Sequence, residues 1–97
     1  MPAYVDTAHW EWRGKVWCHL LADNLTELHA FAQRLGLRRK WFQAKSKYPH
    51  YDLTIQMRDR AIHLGAVEAD NRTICAIADK LRSEAQLPQP TQMSLFQ

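Results

Sequence analysis

Apolar residues that recur every three or four positions predict three helices in this chain. The first helix covers residues 24–35, and its apolar stripe is Leu25, Leu28, Phe31, Ala32 and Leu35. Either Asp23 or Asn24 can cap its amino end, since a side-chain oxygen there accepts from a backbone N–H of the first turn. Gly36 can adopt the left-handed conformation that ends a helix.

Two further stripes predict helices over residues 53–64 and 71–85. The first of these would be capped by Asp52 and stopped by Gly65, with a stripe of Leu53, Met57, Ala61 and Leu64. The second would be capped by Asp70, with a stripe of Ile74, Ile77, Ala78, Leu81 and Ala85.

Short β-prone runs lie between these helices and predict a small sheet. Residues 3–5 form one run that ends at Asp6, and Gly14 suits a hairpin turn between residues 9–12 and 15–19. Residues 37–43 read as a strand, residues 44–50 as a loop and residues 66–68 as an edge strand. The pattern therefore predicts an α+β fold, with a small mixed sheet and about three helices.

Length and composition predict one compact domain over residues 1–85. Pro88 and Pro90 interrupt any helix, so residues 86–91 form a predicted linker that leads to a flexible tail at 92–97. No run approaches the roughly 20 apolar residues that span a bilayer, and no leader pattern opens the chain. We expect a cytoplasmic protein without a membrane partner.

The last residues match a known docking peptide. Gln92, Met93, Ser94, Leu95 and Phe96 resemble the pentapeptide by which bacterial polymerases and mismatch-repair proteins bind the DNA polymerase III sliding clamp. The resemblance implies that Leu95 and Phe96 enter an apolar pocket of the clamp, while Gln92 forms hydrogen bonds. The alternative is that Leu95 and Phe96 fold back onto the domain's own core.

A basic stretch without acidic residues suggests contact with a polyanion. Its candidate nucleic-acid-binding residues are Arg38, Arg39, Lys40, Trp41, Lys45 and Lys47, and Arg34 precedes them. Basic side chains would contact phosphates and Trp41 would stack on bases. The alternative is an ordinary solvated surface, with Trp41 and Phe42 buried in a strand.

Acidic, histidine and arginine side chains form a second candidate site, which could be catalytic. Its members are Asp6, His19, Asp23, His50, Asp52 and Arg58. Such groups can hold a divalent metal that activates water for attack on phosphorus. The alternative is that Asp23 and Asp52 only cap helices. The cysteines Cys18 and Cys75 lack the paired spacing of a zinc knuckle.

The body of the chain resembles an uncharacterised family of small bacterial and phage domains over residues 3–68. The resemblance rests on Tyr4-Val5-Asp6, Trp17, His19-Leu20, Ala22-Asp23, Glu27-Leu28-His29, Phe31-Ala32, Leu35-Gly36, Phe42, His50-Tyr51-Asp52, Arg58 and Gly65-Ala66. It implies phage or mobile-element ancestry and a polar site, and it brings no activity with it.

Together these features favour an accessory protein of DNA replication or repair that is tethered to the sliding clamp. Two other functions stay open. One is a small metal-dependent nuclease or phosphodiesterase that uses the Asp/His group. The other is a nucleic-acid-binding module that uses residues 34–48.

Overall fold

The computed structural model describes residues 3–7, 10–44 and 48–86 of the chain. The elements in chain order are β1 (Ala3–Asp6), β2 (Trp10–Trp12), β3 (Lys15–Ala22), α1 (Leu25–Leu35), a 3₁₀ helix (Arg39–Trp41), β4 (Tyr51–Thr54), α2 (Ile55–His63), β5 (Val67–Ala69) and α3 (Asn71–Ala85). Three helices pack against a mixed five-stranded sheet, which confirms the predicted α+β class.

Strand β3 organises the sheet because it pairs with three other strands. β1 and β2 pair antiparallel with successive parts of β3, and β4 pairs antiparallel with its middle. Trp17 is paired with both Trp10 and Thr54, so β2 and β4 lie on opposite edges of β3. Strand β5 adds in parallel to β1.

Alternation along β3 and β4 separates a buried face of the sheet from a polar one. Cys18 and Leu20 are fully buried opposite Leu53 and Tyr51. These side chains join the core with residues of all three helices, such as Leu28, Ala61 and Leu81. The intervening pairs, His19 with Asp52 and Trp17 with Thr54, are only partly buried.

The hairpin between β2 and β3 turns at Arg13 and Gly14, as the glycine predicted. Both residues have positive φ angles, 53° and 76°. Such angles are typical of the two-residue turn that suits the twist of paired strands. Arginine rarely adopts this conformation, so Arg13 carries local backbone strain of about 1 kcal/mol or more.

The predicted helix boundaries are confirmed at three ends. Asn24 caps α1 by accepting from the Glu27 N–H at 2.9 Å, and Gly36 ends this helix with a φ of 86°. Asp70 caps α3 by accepting from the Thr73 N–H at 2.9 Å.

The predicted strand over residues 37–43 is wrong. The chain instead forms a 3₁₀ turn, and only Gln43 makes a bridge, with His50. Phe42 packs against the rings of His29 and Tyr51, while Trp41 stays 49% exposed. One partly buried side chain beside exposed basic residues does not produce the period-two burial of a strand.

The predicted start of the second helix is also wrong. Residues 51–54 form β4, and α2 begins only at Ile55, where Thr54 and not Asp52 supplies the cap. Tyr51 and Leu53 alternate with the polar residues His50 and Asp52, which is a strand pattern. Burial of both apolar side chains against the core therefore favours a strand over a helix at residues 51–54.

None of the helices in the described ranges has the length and hydrophobicity that a membrane-spanning segment requires. Residues 45–47 and 87–97 lie outside those ranges. The expectations for Lys45 and Lys47, for most of the linker and for the clamp-docking tail therefore stay predictions.

Candidate metal centre

Three neighbouring strands bring four of the predicted site residues together. His19 lies on β3 directly opposite Asp52 on β4, and Asp6 ends β1 on the other edge of β3. The Asp6 Oδ1 atom accepts from the backbone N–H of His19 at 2.9 Å. His50 comes just before β4, and its ring centroid is 4.7 Å from that of His19. Pairing register thus assembles residues that are far apart in sequence.

The imidazole of His19 is oriented by a buried carboxylate. Asp6 is only 3% exposed, and its Oδ2 lies 2.5 Å from Nδ1 of His19. The hydrogen bond to Asp6 raises the pKa of His19, against the opposing effect of burial. Because the carboxylate accepts, Nδ1 carries the proton, and Nε2 of the neutral ring is left with its lone pair.

The imidazole of His50 is oriented in the same way, by a backbone carbonyl. Its Nδ1 lies 2.7 Å from the carbonyl oxygen of Tyr48, which can only accept, so Nδ1 must be the donor. Its Nε2 is 3.1 Å from Oδ1 of Asp52. That buried oxygen is close enough for an ion pair, yet it accepts no well-aligned hydrogen bond from any described residue. An unsatisfied carboxylate oxygen thus lies beside an imidazole nitrogen, an arrangement that a cation bound between them would relieve.

The group has the composition of a transition-metal site. Within the described part of the chain, ligand atoms of His19, His50 and Asp52 lie within 4.8 Å of one another. Around a bound ion these atoms would be about 3–3.5 Å apart, so small side-chain rotations suffice. Histidine ligands commonly donate their other ring N–H to a carboxylate or a carbonyl, as Asp6 and Tyr48 provide here. Three protein ligands also leave a position for water.

Two of the predicted catalytic residues lie outside this group. Asp23 follows the far end of β3, where it accepts from the Tyr4 hydroxyl at 3.2 Å and lies 4.0 Å from Lys80. Arg58 on α2 donates from Nε to the backbone carbonyl of Asp6 at 3.2 Å and pairs with Glu68 at 3.0 Å. Arg58 therefore holds the end of β1 in place, and its guanidinium is already occupied.

Cys18 is not a ligand or nucleophile of this site, although it precedes His19. Burial, with a further contribution from Asp6, raises the pKa of its thiol to about 12. Its side chain also lies on the buried face of β3, whereas His19 lies on the other face, so Cys18 does not reach the group.

We call His19, His50 and Asp52 the metal-ligand group. A groove of about 900 Å³ runs up to this group. Asp52 is one of its lining residues, and so is Trp10, whose ring lies 4.6 Å from that of His19. Lys40 and Trp41 of the predicted basic stretch also line it. Arg38 and Arg39 are exposed beside them, with Arg38 5.8 Å from the Trp41 ring.

Sequence reasoning missed two parts of the site. The Tyr48 carbonyl carries no side-chain signal, so only the structure could assign it. The alternation of Trp10, Glu11 and Trp12 before the Gly14 turn does carry a signal, because it places both tryptophans on one face of a strand. Trp17 is paired with Trp10 and completes that face.

The fold and the site define a small α+β domain with a His/Asp group at the meeting point of three strands. The chain belongs to the family described as Protein of unknown function (DUF4031), whose profile matches residues 3–81. The match confirms the predicted membership of an uncharacterised family and extends past residue 68. No curated protein and no solved structure matches the chain.

Proposed function

We propose that the folded body is a metal-dependent hydrolase of phosphodiester bonds in nucleic acid. The observation that carries the proposal is the shared orientation of two histidines around Asp52. Each histidine donates from Nδ1, to Asp6 or to the Tyr48 carbonyl, and a buried Asp52 oxygen lacks a hydrogen bond from any described group. Two imidazoles and one carboxylate favour a transition ion such as Zn²⁺ over Mg²⁺.

A metal ion in this position would lower the pKa of a bound water. The ion would thus supply an activated water for attack on phosphorus. The new bond from phosphorus to the water oxygen would replace the bond to the leaving sugar oxygen, and that oxygen would take up the proton that the water loses. Asp6 contributes by keeping the proton of His19 on Nδ1, which leaves Nε2 for the metal.

The surroundings of the site support a nucleic-acid substrate. Lys40 and Asp52 both line the groove, and the exposed residues Arg38 and Arg39 precede Lys40 in the chain. Basic side chains at this position would neutralise the phosphates that flank the cleaved bond.

Hydrolysis assays with purified protein test this proposal. We expect cleavage of a labelled oligonucleotide in the presence of Zn²⁺, Mn²⁺ or Co²⁺, and loss of cleavage on addition of EDTA. The double variant His50→Ala/Asp52→Ala should be inactive, whereas Asp23→Asn should retain activity because Asp23 lies away from the group. Absence of hydrolysis by the wild type with every ion would contradict the hydrolase assignment.

We further propose that the tail tethers this body to the bacterial sliding clamp, as an accessory protein of replication or repair. The specific observation in its favour is the complete match of residues 92–96 to the clamp-binding pattern. A proline-containing spacer would limit the entropy lost on docking. Tethering raises the local concentration of the body at DNA, so a weak activity acts where the clamp sits.

Calorimetric titration against a purified bacterial clamp tests the tether separately from the hydrolase. The intact protein should bind, and Leu95→Ala/Phe96→Ala should abolish binding, since both apolar anchors are lost. Leu87→Ala is a matched control, because it removes an apolar side chain upstream of the pentapeptide. Equal affinity of the wild type and the double variant would rule out this docking mode.

A further inference from the structure

All four tryptophans of the chain line the groove beside the metal-ligand group. Trp10, Trp12 and Trp17 come from the β2–β3 hairpin, whereas Trp41 comes from the 3₁₀ helix. Lys15, which pairs with Trp12 across the hairpin, and Lys40 are the two lysines among the lining residues. We call this surface the tryptophan groove.

Two of these four tryptophans are not core residues. Trp12 is 54% exposed and Trp41 is 49% exposed, which is unusual for so large an apolar side chain. Trp12 is held in place, because its carbonyl accepts from the indole N–H of Trp17 at 3.0 Å and its ring packs edge-on against that indole. Fixed and accessible indole rings are suited to stacking on flat ligands.

Arginine side chains accompany both exposed rings. The guanidinium of Arg13 lies 4.5 Å from the centre of the Trp12 ring, and that of Arg38 lies 5.8 Å from the Trp41 ring. Each exposed indole therefore has a cation beside it, and two lysines also line the groove. Aromatic rings accompanied by cationic groups suit the bases and phosphates of an unpaired strand.

We infer that the tryptophan groove binds single-stranded DNA, with bases stacked on Trp12 and Trp41 and phosphates held by Lys15 and Lys40. A duplex hides the faces of its bases, so indole stacking requires an unpaired strand. The choice of DNA over RNA rests on the proposed tether to a DNA sliding clamp through residues 92–96. An acidic peptide could match the positive charge of the groove, but it lacks the flat bases that stack on two exposed indole rings.

The groove would also position the strand for cleavage. Asp52 lines the groove, and Trp10 contacts both the groove and the His19 ring. A strand in the groove would therefore carry a phosphate to the metal-ligand group. The inference that single-stranded DNA is the substrate rests on the proposed hydrolase function. Binding of the strand in the groove does not, because it can be measured without hydrolysis.

Fluorescence anisotropy with a labelled oligothymidylate in EDTA measures groove binding in the full chain. Stacking on an aromatic side chain is worth about 1–3 kcal/mol per base, so Trp12→Leu and Trp41→Leu should each weaken affinity between about fivefold and about 150-fold. Both residues are about half exposed and lie outside the core, so both variants should keep the fold, which thermal unfolding checks.

Charge variants provide a matched comparison. Lys40→Glu should weaken binding and lower the salt dependence, since each phosphate contact on a single strand contributes a slope of about 0.7. Arg72→Glu makes the same change in charge on α3, where the exposed side chain does not line the groove, and it should have a much smaller effect.

A substitution of Arg13 distinguishes an effect on oligonucleotide binding from an effect on the stability of the fold. Arg13→Asn creates the Asn-Gly pair that the turn prefers, so the fold should be as stable as the wild type or more so. The same change removes the guanidinium beside Trp12 and should reduce affinity for the oligonucleotide. Improved stability with reduced affinity would support the inference, and unchanged affinity would count against it.

Several results would overturn the inference. These are no binding by the intact protein, unchanged binding by Trp12→Leu/Trp41→Leu, preference for duplex or for single-stranded RNA, or a dimer in sedimentation that the double variant abolishes. Binding in EDTA without any metal-dependent hydrolysis would support the groove assignment and contradict only the hydrolase.

Discussion

The carboxylate of Asp6 offers the sharpest test of the metal centre, because it touches His19 and not the ion. In the wild type, Oδ2 accepts from His19 Nδ1–H and Oδ1 accepts from the His19 backbone N–H. In Asp6→Asn, the retained oxygen can keep the backbone hydrogen bond. The new amide nitrogen is a donor, so Nδ1 must become the acceptor and the ring proton must move to Nε2. That tautomer has no lone pair for the metal.

The expected change in thermal stability follows from the weaker binding of the metal to Asp6→Asn. Removing such an orienting partner commonly weakens metal binding by about 10- to 100-fold. At a free metal concentration of about 100 times the wild-type Kd, binding stabilises the wild type by about 2.7 kcal/mol. The same concentration would stabilise Asp6→Asn by only about 0.4–1.4 kcal/mol. In a domain of this size, about 1 kcal/mol shifts Tm by roughly 4–8 °C, so the difference is easily measured.

Thermal unfolding with Zn²⁺ and with EDTA is the appropriate assay. The Tm in Zn²⁺ minus the Tm in EDTA is compared between proteins, so that any change in the stability of the metal-free variant cancels. Asp23→Asn is the matched control, because it makes the same chemical change at an aspartate bound to Tyr4 and not to His19. Its metal-induced shift should equal that of the wild type. An undiminished shift in Asp6→Asn would refute the tautomer argument, and no shift in the wild type would remove the metal centre itself.

Other predictions concern the stability of the fold. Burial, aided by Arg39, lowers the pKa of His29 from 6.5 to about 4. The contribution of neutral His29 to the free energy of unfolding is therefore complete above pH 6.5 and is lost as the pH falls toward 4. Urea unfolding should show this acid-side loss, and His29→Phe should reduce it while His63→Phe, at an exposed position, should not. Leu53→Ala removes a fully buried side chain and should lower the free energy of unfolding by about 2–5 kcal/mol. Asn24→Ala removes the α1 cap and should cost about 0.5–2 kcal/mol in the same assay.

The local signals that the sequence carries strongly are those that act within a few residues. Asn24, Gly36 and Asp70 mark helix ends by chemistry that involves only neighbouring backbone groups, and the structure confirms all three. The Gly14 turn is confirmed for the same reason. The sequence also marks Asp6, His19, His50 and Asp52 as candidate site residues, because their side chains can bind metals or protons.

Tertiary structure decided the features that depend on distant partners. The helical spacing from Leu53 to Leu64 and the alternation from His50 to Thr54 are both present in the sequence, and pairing of β4 with β3 selected the strand. That same pairing places Asp52 opposite His19, while the antiparallel register of β1 brings Asp6 to the other side. Asp23 has the same chemistry as these residues but follows the far end of β3, beyond their reach. The sequence by itself thus determined the helix ends, the turn and the reactive groups, whereas sheet register determined which of those groups meet, because register is set by burial of a whole strand face.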